Sequence, residues 1–325
     1  MLNRRDLLRF LGAGAAGTAA AGLGCAKTSS ETPAPAATAA AEADSGPDFS
    51  VAFLNDPHVY GEKGAVEATM TAFDMAMAEK PDAVITGGDM VMDLLEVERD
   101  SADAQFDLLE QCLAKIDVPI YHAIGNHDCY GVSDKSSVTP DDPLWGKRYF
   151  LERLGLERSY TSFDHKGWHF AILDTIDLQG TGYRGYVGEE QLAWLDEDLA
   201  KANKPTVIAT HIPIFSNYIE WRRGTAEGIP DAVSVVNCHE VAKVLEKHPV
   251  KLVVCGHLHV NEVFRYKGIE FANVGAISGN WWNGLRDGFE EGFTMLDFKG
   301  DQVRWRYIDY GWDAVVAEDG DAAHG

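Results

Sequence analysis

Five short segments of this chain each end an apolar run with groups that bind hard or borderline metals. Asp56-Pro57-His58 follows Val51-Ala52-Phe53-Leu54, and Gly88-Asp89 follows Ala83-Val84-Ile85. Gly125-Asn126-His127-Asp128 follows Ile120–Ile124, His211 follows Thr206–Ala209, and Gly256-His257-Leu258-His259 follows Leu252–Cys255. The donors are two carboxylates (Asp56, Asp89), one carboxamide (Asn126) and four imidazoles (His58, His211, His257, His259). One ion takes about four to six ligands, so this set exceeds one ion and suits two that share a carboxylate. Two such ions activate water and clamp the oxygens of an in-line phosphoryl displacement. With no thiolate in the set, Fe, Mn or Zn fits better than a soft metal.

The elements that must position these groups follow from the pattern. Apolar runs ending in ligands place the cluster along one edge of a sheet, outside the strands' carboxyl ends, where open α/β folds bind ligands. Strand 51–55, a helix near 64–79, strand 83–86, a helix near 101–115 and strand 119–124 alternate, which implies parallel pairing. Phe106, Leu108, Leu109, Cys112 and Leu113 give the second helix an apolar face. Residues 129–148 form a long polar loop, expected as a functional or mobile rim over the site. Strands 159–163 and 168–173 flank a turn at Asp164-His165-Lys166-Gly167. A helix spans Glu189–Lys201, strand 206–210 delivers His211, and Asn237 is placed to cap a helix running to Lys247. Strand 251–255 delivers the last motif, and antiparallel strands follow at 262–266, 269–273, 292–298 and 302–309. Two stacked sheets flanked by helices fit this order.

The ordered set resembles the calcineurin-like metallophosphoesterase family over roughly residues 50 to 310. The resemblance implies an α/β fold in four layers, an αββα sandwich of two mixed sheets with the metal site at the strand carboxyl ends. It also implies that Asp56, His58, Asp89 and His259 hold one metal, that Asp89, Asn126, His211 and His257 hold the other, and that Asp89 bridges. The expected reaction is hydrolysis of a phosphomonoester or phosphodiester by a hydroxide that bridges the metals. His127, beside Asn126 and not needed as a ligand, is the candidate general acid for the leaving oxygen. The family's matching histidine has that role. Asp128 is expected to orient or polarise it. Asn55 reads as a turn residue, and Asp93 and Asp174 as structural or solvated.

Finer features narrow the branch. Met92 stands where purple acid phosphatases carry a tyrosine ligand, and the Asp-Arg-Gly of Ser/Thr protein phosphatases is missing after Asp89. Gly-Asn-His-Asp looks like the cyclic-nucleotide and small-phosphodiester branch. Trp281-Trp282, flanked by glycines, either stack a nucleobase, sugar or glycerol group or plug the space under the 129–148 loop. Arg222-Arg223 read as a loop pair that either steers a second phosphate or is simply solvated.

The whole chain has 325 residues and a formal charge of −23, which disfavours nucleic acid as a partner but not a small anion drawn to metals. Arg4-Arg5, Asp6-Leu7-Leu8 and a weakly apolar Gly/Ala stretch to Gly24 look like a twin-arginine export signal. Cys25 is either a lipidation site or a bystander near a signal-peptidase site. The expected location is therefore the periplasm or cell envelope, with membrane contact only through a lipid on Cys25. Residues 26–48 read as an Ala/Pro/Thr tether, 49–310 as the metallophosphoesterase domain and 311–325 as an acidic tail. Four further cysteines make no disulfide framework. A non-catalytic metal-binding envelope protein is the alternative from another class, set back by the complete ligand set and His127.

Overall fold

The computed structural model describes residues 46–224 and 228–314. The export segment, Cys25, the tether up to residue 45 and the tail beyond residue 314 lie outside the described residues. The chain opens with β1 (Phe49–Leu54), α1 (Ala65–Ala78), β2 (Ala83–Thr86), α2 (Arg99–Leu113) and β3 (Ile120–His122). Then come α3 (Lys147–Leu154), β4 (Thr161–His165), β5 (Trp168–Ile172), β6 (Ile176–Gln179), β7 (Gly182–Gly185), α4 (Glu189–Ala202) and β8 (Thr206–Thr210). It closes with α5 (Tyr218–Arg223), α6 (Cys238–Leu245), β9 (Val250–Cys255), β10 (Glu262–Tyr266), β11 (Ile269–Asn273), β12 (Gly292–Lys299) and β13 (Gln302–Asp309).

One sheet has the order β13-β12-β1-β2-β3 and the other β10-β11-β9-β8-β5-β4. β1, β2 and β3 pair in parallel, as do β5, β8, β9 and β11, while the outer hairpins pair antiparallel. Both sheets are mixed. Successive side chains alternate in direction along a strand. In β1, Val51 and Phe53 join Phe170, Ile172, Val207 and Val254 of the other sheet in one apolar layer. Phe298 and Phe170 meet there across the sheets, edge to face at 5.5 Å. Ala52 and Leu54 face the opposite way and pack in the cluster that contains Phe73 of α1 and Phe106 of α2. Alanines at 65, 68, 72 and 76 are all buried, which lets α1 sit close to the sheet. Leu195 and Leu199 of α4 and Val241 and Leu245 of α6 cover the second sheet's outer face. The four-layer αββα sandwich is thus what the residue pattern builds, and each fully buried Phe or Leu in it contributes about 1.5–3 kcal/mol.

Several local expectations change. Asp164 and His165 finish β4, and the turn is only Lys166-Gly167, both at positive φ (44° and 87°), which suits a tight hairpin. Asn237 does precede α6, but its side chain bonds the backbone N and O of Val187 at 3.1 and 2.8 Å instead of the helix amides. The 129–148 loop is closed at its neck by paired Tyr130–Gly146 backbone bonds of 3.0 and 2.7 Å. Ser136, Ser137 and Lys135 tie it to residues 96–98, so it packs beside the start of α2. Residues 218–223 form helix α5 where a loop was expected.

Candidate metal centre

Each expected ligand lies just past a strand's carboxyl end. Asp56 and His58 follow β1, Asp89 follows β2, and Asn126 follows β3, three neighbouring strands of one sheet. His211 follows β8, and His257 and His259 follow β9, neighbours in the other. Five of these residues turn through the left-handed region: Asp56 (φ 51°), His58 (43°), Asp89 (50°), His257 (71°) and His259 (58°). A side chain held there costs roughly 1–2 kcal/mol, so the surroundings must enforce it. Backbone bonds between the loops do so: Asp56 N to Gly88 O at 3.0 Å, His58 N to Asp89 O at 3.1 Å, and Ser278 N to Asp56 O at 3.2 Å. Gly125 fits because a Cβ there would overlap the backbone nitrogen and Oδ1 of Asp89.

The seven donors converge in two overlapping groups. His58 Nε2 lies 3.2 Å from His259 Nε2 and 3.7 Å from Asp89 Oδ2, and His259 Nε2 is 3.4 Å from Asp56 Oδ1. His211 Nε2 lies 3.3 Å from Asp89 Oδ2, 3.0 Å from Asn126 Oδ1 and 3.2 Å from His257 Nδ1. Asp89 Oδ2 therefore faces both groups. Its Oδ1 accepts the His127 backbone N–H at 2.8 Å, which fixes the carboxylate.

The tautomers test whether metals fit. A carbonyl only accepts, so His211 Nδ1, His257 Nε2 and His259 Nδ1 must donate, to Gly87 O (2.9 Å), Ala232 O (3.0 Å) and Gly279 O (2.5 Å). In the neutral rings the remaining nitrogens then point lone pairs at one another and at carboxylate oxygens. That arrangement is repulsive alone and favourable around cations. Burial, then the neighbouring His127, pulls His58 down to about 3, and burial, then His211, does the same to His257. Burial opposes charge on His211 too, but Asp89 and Asp56 outweigh it and raise it to about 9. Cations would replace that proton. The residues present fit two metal ions.

Residues around the donors set their aim, and here the sequence reading needs amending. Asn55 is more than a turn residue: its Nδ2 donates to Asp56 Oδ2 at 2.5 Å and to Gly275 O at 2.9 Å. Asp128 does not touch His127. Its two oxygens accept from Met90 N (2.9 Å) and Gly125 N (2.8 Å), which ties the second and third loops together. Burial, then Asp89, raises its carboxyl to about 7. The carboxylate beside the His127 ring is Asp93, with Oδ1 3.8 Å from Nδ1. His127 stands edge-on to His58 at 4.9 Å and keeps a quarter of its side chain exposed, so substrate can reach it.

Residues 49–261 match the calcineurin-like phosphoesterase family. The chain belongs to that family. It is a metallophosphoesterase, a hydrolase acting on phosphoric esters. It is 28% identical to a 3′,5′-cyclic-nucleotide phosphodiesterase of Nostoc sp. over 214 residues, covering 65% of this chain and 71% of that one. It is 25% identical to a glycerophosphodiester phosphodiesterase of Enterobacter lignolyticus over 244 residues, covering 70% and 76%. A dimetal phosphatase from Danio rerio shares the fold, with a TM-score of 0.61 at 18% identity over 81% of this chain and 97% of that one.

The groups expected to touch substrate in this phosphoesterase divide. Trp282 is fully buried, donates Nε1 to His58 O at 3.0 Å and packs 6.4 Å from Trp312. It supports the first metal loop from behind and cannot stack a substrate. Trp281 is half-buried, with its ring 4.5 Å from that of His259 and 5.8 Å from that of His58. Arg222 Nε sits 3.8 Å from Asp287 Oδ2, and Arg223 is exposed at the end of α5. Two features went unseen in the sequence. Arg286 lies with its guanidinium carbon 5.0 Å from the Trp281 ring centre. A cavity of about 320 Å³ opens between Tyr218 and Trp221 of α5 and Val260-Asn261, directly after His259. The Asp287-Gly288 turn signal was available for the first, whereas the second depends on how α5 docks.

Proposed function

We propose that this metallophosphoesterase is an exported phosphodiesterase for small phosphodiesters, using two Fe-, Mn- or Zn-type ions. The observation that carries the reading is Asp89 Oδ2 facing both donor groups, 3.7 Å from His58 Nε2 and 3.3 Å from His211 Nε2. Asp56, His58, Asp89 and His259 would hold one ion, and Asp89, Asn126, His211 and His257 the other. Bound ions supply an activated water nucleophile and neutralise charge on the phosphoryl oxygens. The chain itself supplies the rest. His127 carries a proton on its ring to the leaving oxygen. Asp93 Oδ1 lies 3.8 Å from its Nδ1, while Trp281 covers one side of His58 and His259. The diester preference is supported by the activities named for the Nostoc and Enterobacter relatives. Export is supported by Arg4-Arg5 and the stretch that follows.

Residues 49–325, stripped and reloaded with manganese, provide the test. The expected result is a higher kcat/KM on bis-p-nitrophenyl phosphate than on p-nitrophenyl phosphate. A preference for the monoester would make the protein a phosphatase, and metal-loaded protein inert on both would return the binding-protein reading.

A further inference from the structure

Arg286 is a buried cation without a carboxylate partner among the described residues. The residue is 8% exposed, its Nη1 donates to Asn280 Oδ1 at 3.2 Å, and its Nε has no hydrogen-bond partner. A desolvated guanidinium with free donors is costly unless an anion completes it. Its sequence neighbour Asp287 does not serve: that carboxylate accepts the Tyr218 hydroxyl and faces Arg222. The backbone holds Arg286 in place. Arg286 and Phe289 exchange both backbone bonds, at 3.0 and 2.9 Å, across a two-residue turn at Asp287 (φ 49°) and Gly288 (φ 88°).

Its location points to the kind of anion that would complete it. The guanidinium lies against Trp281, and Trp281 lies against the rings of His259 and His58. Two divalent ions with only Asp56 and Asp89 as charged ligands leave a net positive centre. A further cation one indole away is disfavoured there unless the occupant carries negative charge beyond the phosphoester under attack. Phe289, the turn partner of Arg286, lines the cavity beside α5; Arg286 itself is not among the lining residues, so its guanidinium is placed near the site through Trp281.

We propose that Arg286 recognises a second anionic oxy-group, phosphate or carboxylate, on the alcohol that the phosphodiester substrate retains. The inference rests on the phosphodiesterase reading. It makes the substrate a diester with an additional acidic group a few bonds from the scissile phosphorus.

The test uses three matched esters that all release p-nitrophenol: p-nitrophenyl propyl phosphate and its analogues with a terminal carboxylate or a terminal phosphonate. The metal-loaded enzyme is expected to prefer one charged ester by about tenfold to a hundredfold in kcat/KM, mostly through KM, the range of one or two charged hydrogen bonds. Arg286→Met should abolish the preference, and Arg286→Lys, which keeps the charge but not the fork, should retain part of it. Whichever charged ester gains identifies the group. Parallel losses on all three esters in both variants would show a purely structural residue and overturn the proposal. So would a preference that survives Arg286→Met, or a wild-type enzyme that cleaves the three alike. Cleavage of the neutral ester keeps the phosphodiesterase reading whatever Arg286 does. A metal-loaded enzyme that cleaves none of them sinks both.

Discussion

His127 and Asp89 divide the work at the smallest scale. Asp89 presents one oxygen to both donor groups because its other oxygen is held by the His127 amide at 2.8 Å. The same peptide therefore fixes the Asp89 carboxylate and carries the proposed proton donor. His127 has no ligand role in either proposed set, so on that proposal its loss should remove acid catalysis and leave the metals bound. His127→Ala should slow a dialkyl phosphate by about 10²–10⁴-fold, the usual worth of a general acid. An aryl ester, whose leaving group needs no proton, should slow far less. Metal analysis and kinetics on the two ester classes check this, and equal losses would remove His127 from the acid role. The identity of its neighbour was not legible in sequence. Asp128 is adjacent in the chain, yet both of its oxygens are committed to Met90 and Gly125 amides. Asp93 reaches the ring because Leu94 N bonds His127 O at 2.8 Å and draws the two loops together.

At the scale of elements, the donors were legible because each closes an apolar strand, and strands in a parallel sheet end together. What sequence does not carry is the backbone that turns them inward. Left-handed φ at Asp56, His58, Asp89, His257 and His259 is imposed by contacts between loops far apart in the chain. Adjacent Trp281 and Trp282 show the same limit. Both take positive φ (50° and 65°), and one indole ends beside the ligands while the other ends in the core. Helix α5 was hidden because six residues are too few for a helical period to show. The loop architecture is testable through Gly125, whose Cβ would collide with backbone as well as side-chain atoms of Asp89. Gly125→Ala should lower stability by about 1–3 kcal/mol, as overpacking does, and drop metal content below two ions per chain. Thermal melting and elemental analysis read the two effects. A variant with unchanged melting and full metal content would mean that these loops yield easily.

Across the whole molecule, the metal centre and the core do different jobs. The layer between the sheets, from Val51 and Phe53 to Phe170, Val207 and Phe298, is apolar and needs no ion. The edge above it is different. Asp56, His58, Asp89 and Asn126 come from one sheet, and His211, His257 and His259 from the other, so ions held by the proposed set would cross-link the two. Without them, the buried Asp56 and Asp89 carboxylates and the His58 and His259 ring nitrogens crowd one another at 3.2–3.7 Å. The fold should therefore survive chelation but lose stability, unlike small metal-nucleated domains. Each ion held at a hundredfold over its dissociation constant contributes about 2.7 kcal/mol. For a domain of this size that corresponds to a melting shift of roughly 5–10 °C. Circular dichroism melts with chelator and after reloading would measure it. Hydrogen exchange should place the loosening in the loops after β1, β2, β3, β8 and β9, with the strands between them still protected. Unfolding on chelation at room temperature would make the ions part of the core, and an unchanged melt would mean that the two sheets are not bridged.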